Sequence, residues 1–258
     1  MTRAKGFTLI ELITVLVILA VVAGLSTMFV VIAADGYRET QVRNRLMARG
    51  RVVLEQMSRR IRQSVPNSVR VSASGNCVEL LPSVAGAFYE NDVADASNAA
   101  AFSSAVNTST LSIQLGNAEY ALIAPMAANE IYTNAIPSAR IGVASTVSNS
   151  VTFSAAHQFL RNSISHRIYL ADQPLRFCVS GGNLELREDY GLDTATLDDS
   201  SPGGTSALMA SGVSTGGQAF TLTNSSNDRN TALQMDLIFS NGTTQIALNH
   251  TVAIRNVP

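Results

Sequence analysis

The residues able to do chemistry are few and scattered. Gly-Val-Ser-Thr-Gly at 212–216 matches the G-x-S-x-G pattern that presents a hydrolase nucleophile, here Ser214. That pattern works only where a strand feeds the serine, a helix follows it, and an acid and a histidine are in reach. In this chain it lies inside 193–217, a run rich in Ser, Gly, Thr and Asp that reads as a long exposed loop. His157, His166 and His250 share no ligand spacing, and Cys77 and Cys178 stand 101 positions apart, so no zinc site is expected. Asp189, Asp193, Asp198 and Asp199 make an acidic stretch of the kind Ca²⁺ favours, but the spacing follows no calcium loop and a solvated loop is the expectation. Lys5 is the only lysine, which excludes a P-loop and any lysine-dependent mechanism further along. The expectation is a protein without metal or cofactor, and not an enzyme.

The informative acid is Glu11. It is the only charged residue among the 28 from Phe7 to Ala34. As a helix that stretch is roughly 42 Å long, enough to cross a hydrocarbon core of about 30 Å. A carboxylate there costs a few kcal/mol, so Glu11 needs a partner. The segment is too long for a secretory signal and no Ala-x-Ala site closes it, so it reads as a retained membrane helix.

Beyond it the charge divides. Residues 35–65 carry eight arginines against Asp35, Glu39 and Glu55, and residues 66–258 carry eight arginines against fifteen acids. The basic stretch follows a membrane segment and lacks interleaved aromatics, so a solvated face or a subunit contact is expected and nucleic acid is not. The cysteines lie in alternating runs, NCVEL and LRFCV. Exported, they would form a disulfide; in the cytosol, they would be buried thiols.

A basic leader, Gly6, then FTLIE before the apolar run resembles the leader of type IV prepilins and type II secretion pseudopilins. The resemblance implies cleavage by prepilin peptidase between Gly6 and Phe7 and methylation of Phe7. It implies a charged Phe7 amine on one subunit paired with Glu11 of its neighbour, two buried charges tolerable only together. It implies a single-pass inner-membrane protein with a periplasmic domain, later in a pilus on the cell surface. Its partners would be other major and minor pilins, the inner-membrane assembly platform and membrane lipid. Export then favours a Cys77–Cys178 disulfide. The stretches CVELLP (77–82), LRFCVSGGNLELRE (175–188) and HTVAIRNVP at the C-terminal end resemble large minor pilins of mannose-sensitive haemagglutinin pili, and beside them the J-type minor pseudopilin.

The elements that must position these residues follow from periodicity. Val42, Leu46, Val53, Met57, Ile61 and Val65 form a helical stripe that Pro66 stops, with Gly24 and Gly50 as candidate soft points. After Pro66 the period is two. VRV (69–71), CVELL (77–81), LSIQL (111–115) and one or two strands within 141–153 are expected, with 91–110 a loop. RIYLA, LRFCV and LELRE read as a meander of hairpins. Leu233, Met235, Leu237 and Phe239 alternate, then Asn241-Gly242, then Ile246 to Ile254 alternate again, a strong hairpin signal. The expected fold is α+β: a leader (1–6), a membrane and assembly helix (7–34), its amphipathic continuation (35–65), and an antiparallel β domain (66–258).

Overall fold

The computed structural model describes residues 6–97, 100–113, 116–192, 196–224 and 230–255. Its spine is α1, Leu9–Arg62, a single helix of 54 residues and roughly 81 Å. Neither Gly24 nor Gly50 interrupts it. It ends at Arg62, before Pro66, with Gln63 as C-cap. Its two halves meet different surroundings. The first half is exposed throughout, whereas Leu46, Val53, Leu54, Met57, Ser58 and Ile61 are buried. In the exposed half the hydroxyls of Thr14 and Thr27 return to the backbone carbonyls of Glu11 and Ala23. Each of these two hydroxyl protons therefore has an acceptor within the helix itself.

Two antiparallel sheets receive the buried half. The first has the order β1 (Arg70–Val71), β2 (Cys77–Leu80), β9 (Leu175–Ser180), β10 (Asn183–Glu188), β11 (Thr205–Ser211). Strand alternation splits its faces. Val78, Leu80, Leu175, Phe177, Leu184 and Leu186 join the helix in one core, while Cys77, Glu79, Arg176, Cys178 and Arg187 point the other way. The second sheet is built on β14 (Asn230–Asn241), flanked by β12 (Val213–Ser214) and β13 (Phe220–Asn224) on one side and β15 (Thr244–Arg255) on the other. The β14–β15 hairpin pairs at twelve positions, with Gly242 (φ 61) as the first of its two loop residues.

Gly50 sets the helix–sheet distance. A Cβ there would lie 2.3 Å from Leu248 Cδ1 and 3.1 Å from Phe239 Cε2. The position read as a soft point is thus a close-approach point. The hairpin turn, Thr243 and Thr244 with Gln245, shares a surface recess with Glu39 and Arg43. From there to Leu248 and Gly50 the strand and the helix each advance by about 13 Å. β15 therefore runs alongside α1 in the same direction.

A second lobe holds β3 (Ser83–Phe88), β4 (Ser103–Asn107), β5 (Tyr120–Ile123), the short α2 (Ala128–Ile131), β6 (Arg140–Val147), β7 (Ser150–His157) and β8 (Arg167–Ala171). Its six strands run β3-β8-β5-β6-β7-β4. The ends then join. Tyr89 bridges Thr108, Glu90 N–H donates to Asn107 O (3.1 Å) and Ser109 N–H to Phe88 O (2.7 Å). The lobe is a small closed barrel filled by Ile123, Val151, Phe153, Phe159, Ile168 and Leu170.

Four expectations fail here. Residues 103–107 of the expected loop form β4, and 205–211 and 213–214 of the second expected loop form β11 and β12. Leu111–Ile113 are not a strand, and Gln114 and Leu115 lie outside the described residues. RIYLA (β8) does not pair with LRFCV (β9). It pairs with β3 and β5 in the barrel, because Asp172–Pro174 carries the chain from one sheet to the other.

Candidate assembly site

The start of α1 is organised by its own sequence. Thr8 is the N-cap in extended conformation (φ −86, ψ 149), and Glu11 is the third helical residue. The Glu11 carboxylate accepts from the Thr8 backbone N–H (3.4 Å) and hydroxyl (3.5 Å). This is the T-x-x-E capping box, in which the acid satisfies one of the N–H groups orphaned at a helix start. The sequence carries that signal at Thr8-Leu9-Ile10-Glu11, where it is masked by the long apolar run in which it sits. Gly6 and Phe7 precede the helix and are exposed, Phe7 by 78%. Residues 1–5 lie outside the described residues.

Around this start the surface is continuously apolar. Leu9, Ile10, Leu16, Leu25, Phe29 and Ile32 are each more than half exposed. Such a face on an 81 Å rod is stable only when lipid or like helices cover it. Glu11 is exposed within it, so anything that covers the helix must also meet a carboxylate.

Residues 1–27 match the family model of the prokaryotic N-terminal methylation motif. No curated protein and no solved structure matches the chain. The methylation motif ends inside α1, so it speaks for the exposed half of the helix and is silent on the β domain. Motif and apolar helix together support membrane anchoring and a type IV pilin-like or pseudopilin protein, a class of structural subunits processed by prepilin peptidase.

Cys77 and Cys178 are cross-strand partners on β2 and β9, with Cα atoms 4.2 Å apart and their sulfurs bonded. Both are buried. One rung further along the same face lies an ionic cluster that strand alternation by itself would place in solvent. Glu79 is fully buried and sits between Arg70 on β1 and Arg176 on β9. Its carboxylate accepts from Arg70 (2.5 Å), from Arg176 Nη2 (3.0 Å) and from the Tyr190 hydroxyl (2.8 Å). The Arg70 guanidinium stacks on the Tyr132 ring at 3.8 Å. Burial, then the Glu79 charge, pushes both tyrosine hydroxyls well above their ordinary range, so they serve as donors.

The acidic stretch covers this face. Arg176 donates to Ser200 O (3.0 Å), Leu197 is buried, and Asp199 accepts from Ser74 (2.6 Å) and Asn76 (3.1 Å). Asp198 binds Ser200, and Asp189 binds Thr205. The aspartates are thus spent singly on separate donors. Asp193 lies outside the described residues, and among those described no acidic group converges for a metal. Ser214 pairs with Ile238 on one side of β14, whereas His250 pairs with Met235 on the other side. They do not meet, and Ser214 sits in a strand pair without a following helix, so the hydrolase geometry is missing.

Proposed function

We propose that the chain is a minor pilin that helps initiate or tip a type IV pilus, resembling MshO of the mannose-sensitive haemagglutinin pilus. One observation carries the reading. A single helix begins at the methylation motif, presents an unbroken exposed apolar face with one acid for its first half, and is locked into a β domain by its second half. Prepilin peptidase cuts between Gly6 and Phe7, and Phe7 is methylated. The chain waits in the inner membrane with residues 66–258 in the periplasm, then joins other pilins through the assembly platform and reaches the cell surface.

Glu11 has two duties on this reading. Before assembly it caps its own helix. After assembly it neutralises the Phe7 amine of the neighbour. Substitution separates them, because glutamine also serves in a capping box. Glu11→Gln keeps the helix start but loses the ion pair, a loss of about 3–5 kcal/mol for a fully buried pair. Co-purification with other pilins should collapse in Glu11→Gln and Glu11→Ala alike, while membrane insertion persists. Normal co-purification of Glu11→Gln alongside a defect in Glu11→Ala would leave Glu11 as a cap only. The identity of the co-purified pilins, from a pilus or from a secretion system, separates a minor pilin from a J-type pseudopilin. Gly6→Leu should retain the leader, read as a mature mass beginning at Met1.

A further inference from the structure

The second sheet ends in an unguarded edge. β14 is occupied on its far side, where Asp236 N–H donates to Ala219 O (2.9 Å) and Ser240 N–H to Gly212 O (2.7 Å). Those residues pair with Asn249 and Gln245 of β15. In an antiparallel ladder both members of such a pair turn their N–H and C=O groups away from each other. On β15 the backbone groups of Gln245, Ala247, Asn249, Thr251 and Ala253 therefore aim out of the sheet. All five residues are exposed, and none has a backbone partner among the described residues. From Thr244 to Ile254 there is no proline, glycine, lysine or charged carboxylate, and the pairing shows no bulge. Proteins normally blunt a free edge with one of these devices. This chain does so elsewhere: the barrel closes on itself, and β11 meets β10 with a register shift at Leu184/Glu185.

We propose that the β15 edge is the docking site for an extended, acid-bearing segment of a different, neighbouring subunit, which adds a strand beside α1; this rests on the pilin reading. Two features choose the occupant. Arg49 reaches toward β11, where it donates to Ser211. At about 100° per residue, Arg51 lies on the opposite flank of the helix, above the free edge. Arg51 is exposed and has no acid partner among the described residues, so a carboxylate on the incoming strand would meet it. A second copy pairing antiparallel through β15 would bring two Arg51 side chains together. Because β15 and α1 run in one direction, it would also send the two apolar helix halves to opposite ends, which a single membrane cannot accommodate. The edge starts level with Glu39 and Arg43, where the exposed apolar face of α1 ends. A subunit packed along that face already lies next to it.

The test is hydrogen exchange read by mass spectrometry on the full chain, in native membranes and sheared pili and again as the detergent-purified protein. The outward amides of Ala247, Asn249, Thr251 and Ala253 should exchange freely in the purified chain and at least about tenfold more slowly in the native sample. The inward amides of Ile246, Leu248 and Val252 are the internal reference, protected in both. Ala247→Pro removes only an outward donor, so the chain should fold, yet co-assembly should fall about tenfold or more. Arg51→Glu should weaken co-assembly too, with an effect that shrinks in high salt. Equal exchange of the outward amides in both samples, or a folded Ala247→Pro chain that assembles normally, overturns the proposal. A purified chain that dimerises with the same protection overturns the choice of a different subunit. The same spectra read the N-terminus. A protected edge on a chain beginning at Met1 rejects the pilin reading and keeps the docking site; a processed chain with a freely exchanging edge does the reverse.

Discussion

Glu79→Ala should be among the most damaging single changes in the β domain. Glu79 is fully buried, and Arg176 beside it is 1% exposed. The carboxylate receives two guanidinium groups and a tyrosine hydroxyl. Removing it leaves two like charges facing each other across one rung, Arg70 on β1 and Arg176 on β9, with the Arg176 side chain unable to reach water. Breaking a buried pair in this way costs about 3–5 kcal/mol, because the remaining charge stays desolvated. For a domain of this size about 2–4 °C of Tm accompanies each kcal/mol, so Tm should fall by roughly 6–20 °C. The assay is thermal and urea unfolding of the full chain in detergent, followed by far-ultraviolet circular dichroism. Glu79→Gln should recover part of the loss, since an amide oxygen still accepts hydrogen bonds. Glu79→Ala combined with Arg176→Met should be less damaging than Glu79→Ala alone, because the stranded charge goes with its partner. A Glu79→Ala loss under about 1 kcal/mol, or a double variant as unstable as the sum of its parts, would refute the buried-charge argument.

Cys178→Ser should lower stability by up to about 4–5 kcal/mol, since the bond closes a loop of roughly 100 residues, and urea midpoints with and without reductant should bracket the same loss. Gly50→Leu should be worse than Gly50→Ala: the added Cβ already meets Leu248 at 2.3 Å, and the larger side chain should force the helix off the sheet, read as a loss of more than about 2 kcal/mol in urea. Burial lowers the pKa of His157, whose Nδ1 is buried without a partner among the described residues. The neutral form is therefore favoured by folding, so stability is full above about pH 6.5 and falls as pH drops below it. His157→Gln should flatten that acid-side slope in a Tm-versus-pH series.

The sequence made the helix and its stop legible because a 3.6-residue stripe runs unbroken from Val42 to Ile61 and Pro66 follows. The β14–β15 hairpin was equally plain, since Leu233 to Phe239 and Ile246 to Ile254 alternate on either side of Gly242, with Ile238 and His250 as departures. β4 was hidden because it buries only Val106. β11 was hidden because only Ala210 is fully covered, so neither strand has a buried face for alternation to report. Barrel closure could not be seen, because it rests on a bridge between Tyr89 and Thr108 and on no local pattern. At the assembly site Gly6, Phe7 and Glu11 stood out by type and spacing. The capping role of Glu11 was also written locally, in Thr8. Glu79 was the opposite case. Its alternation with Val78 and Leu80 is that of a solvent-facing acid, and only the return of the chain near Tyr190 and Ser200 buries it.

The parallel course of α1 and β15 has a mechanical meaning. Tension applied to the helix by neighbours enters the β domain along the long axis of the hairpin. The twelve β14–β15 pairs then lie across the direction of pull and share the load in shear, instead of opening one after another from an end. The barrel lobe joins beyond the C-terminal end of α1, where Ser64 bridges Pro82, and none of its strands pairs with the hairpin. Resistance to extension is a rate property, set by the barrier to sliding many hydrogen bonds together. In the proposed pilus, such a subunit would stay folded while the fibre is stretched, and the barrel, which shares no strand pairing with the hairpin, would yield or hold on its own terms.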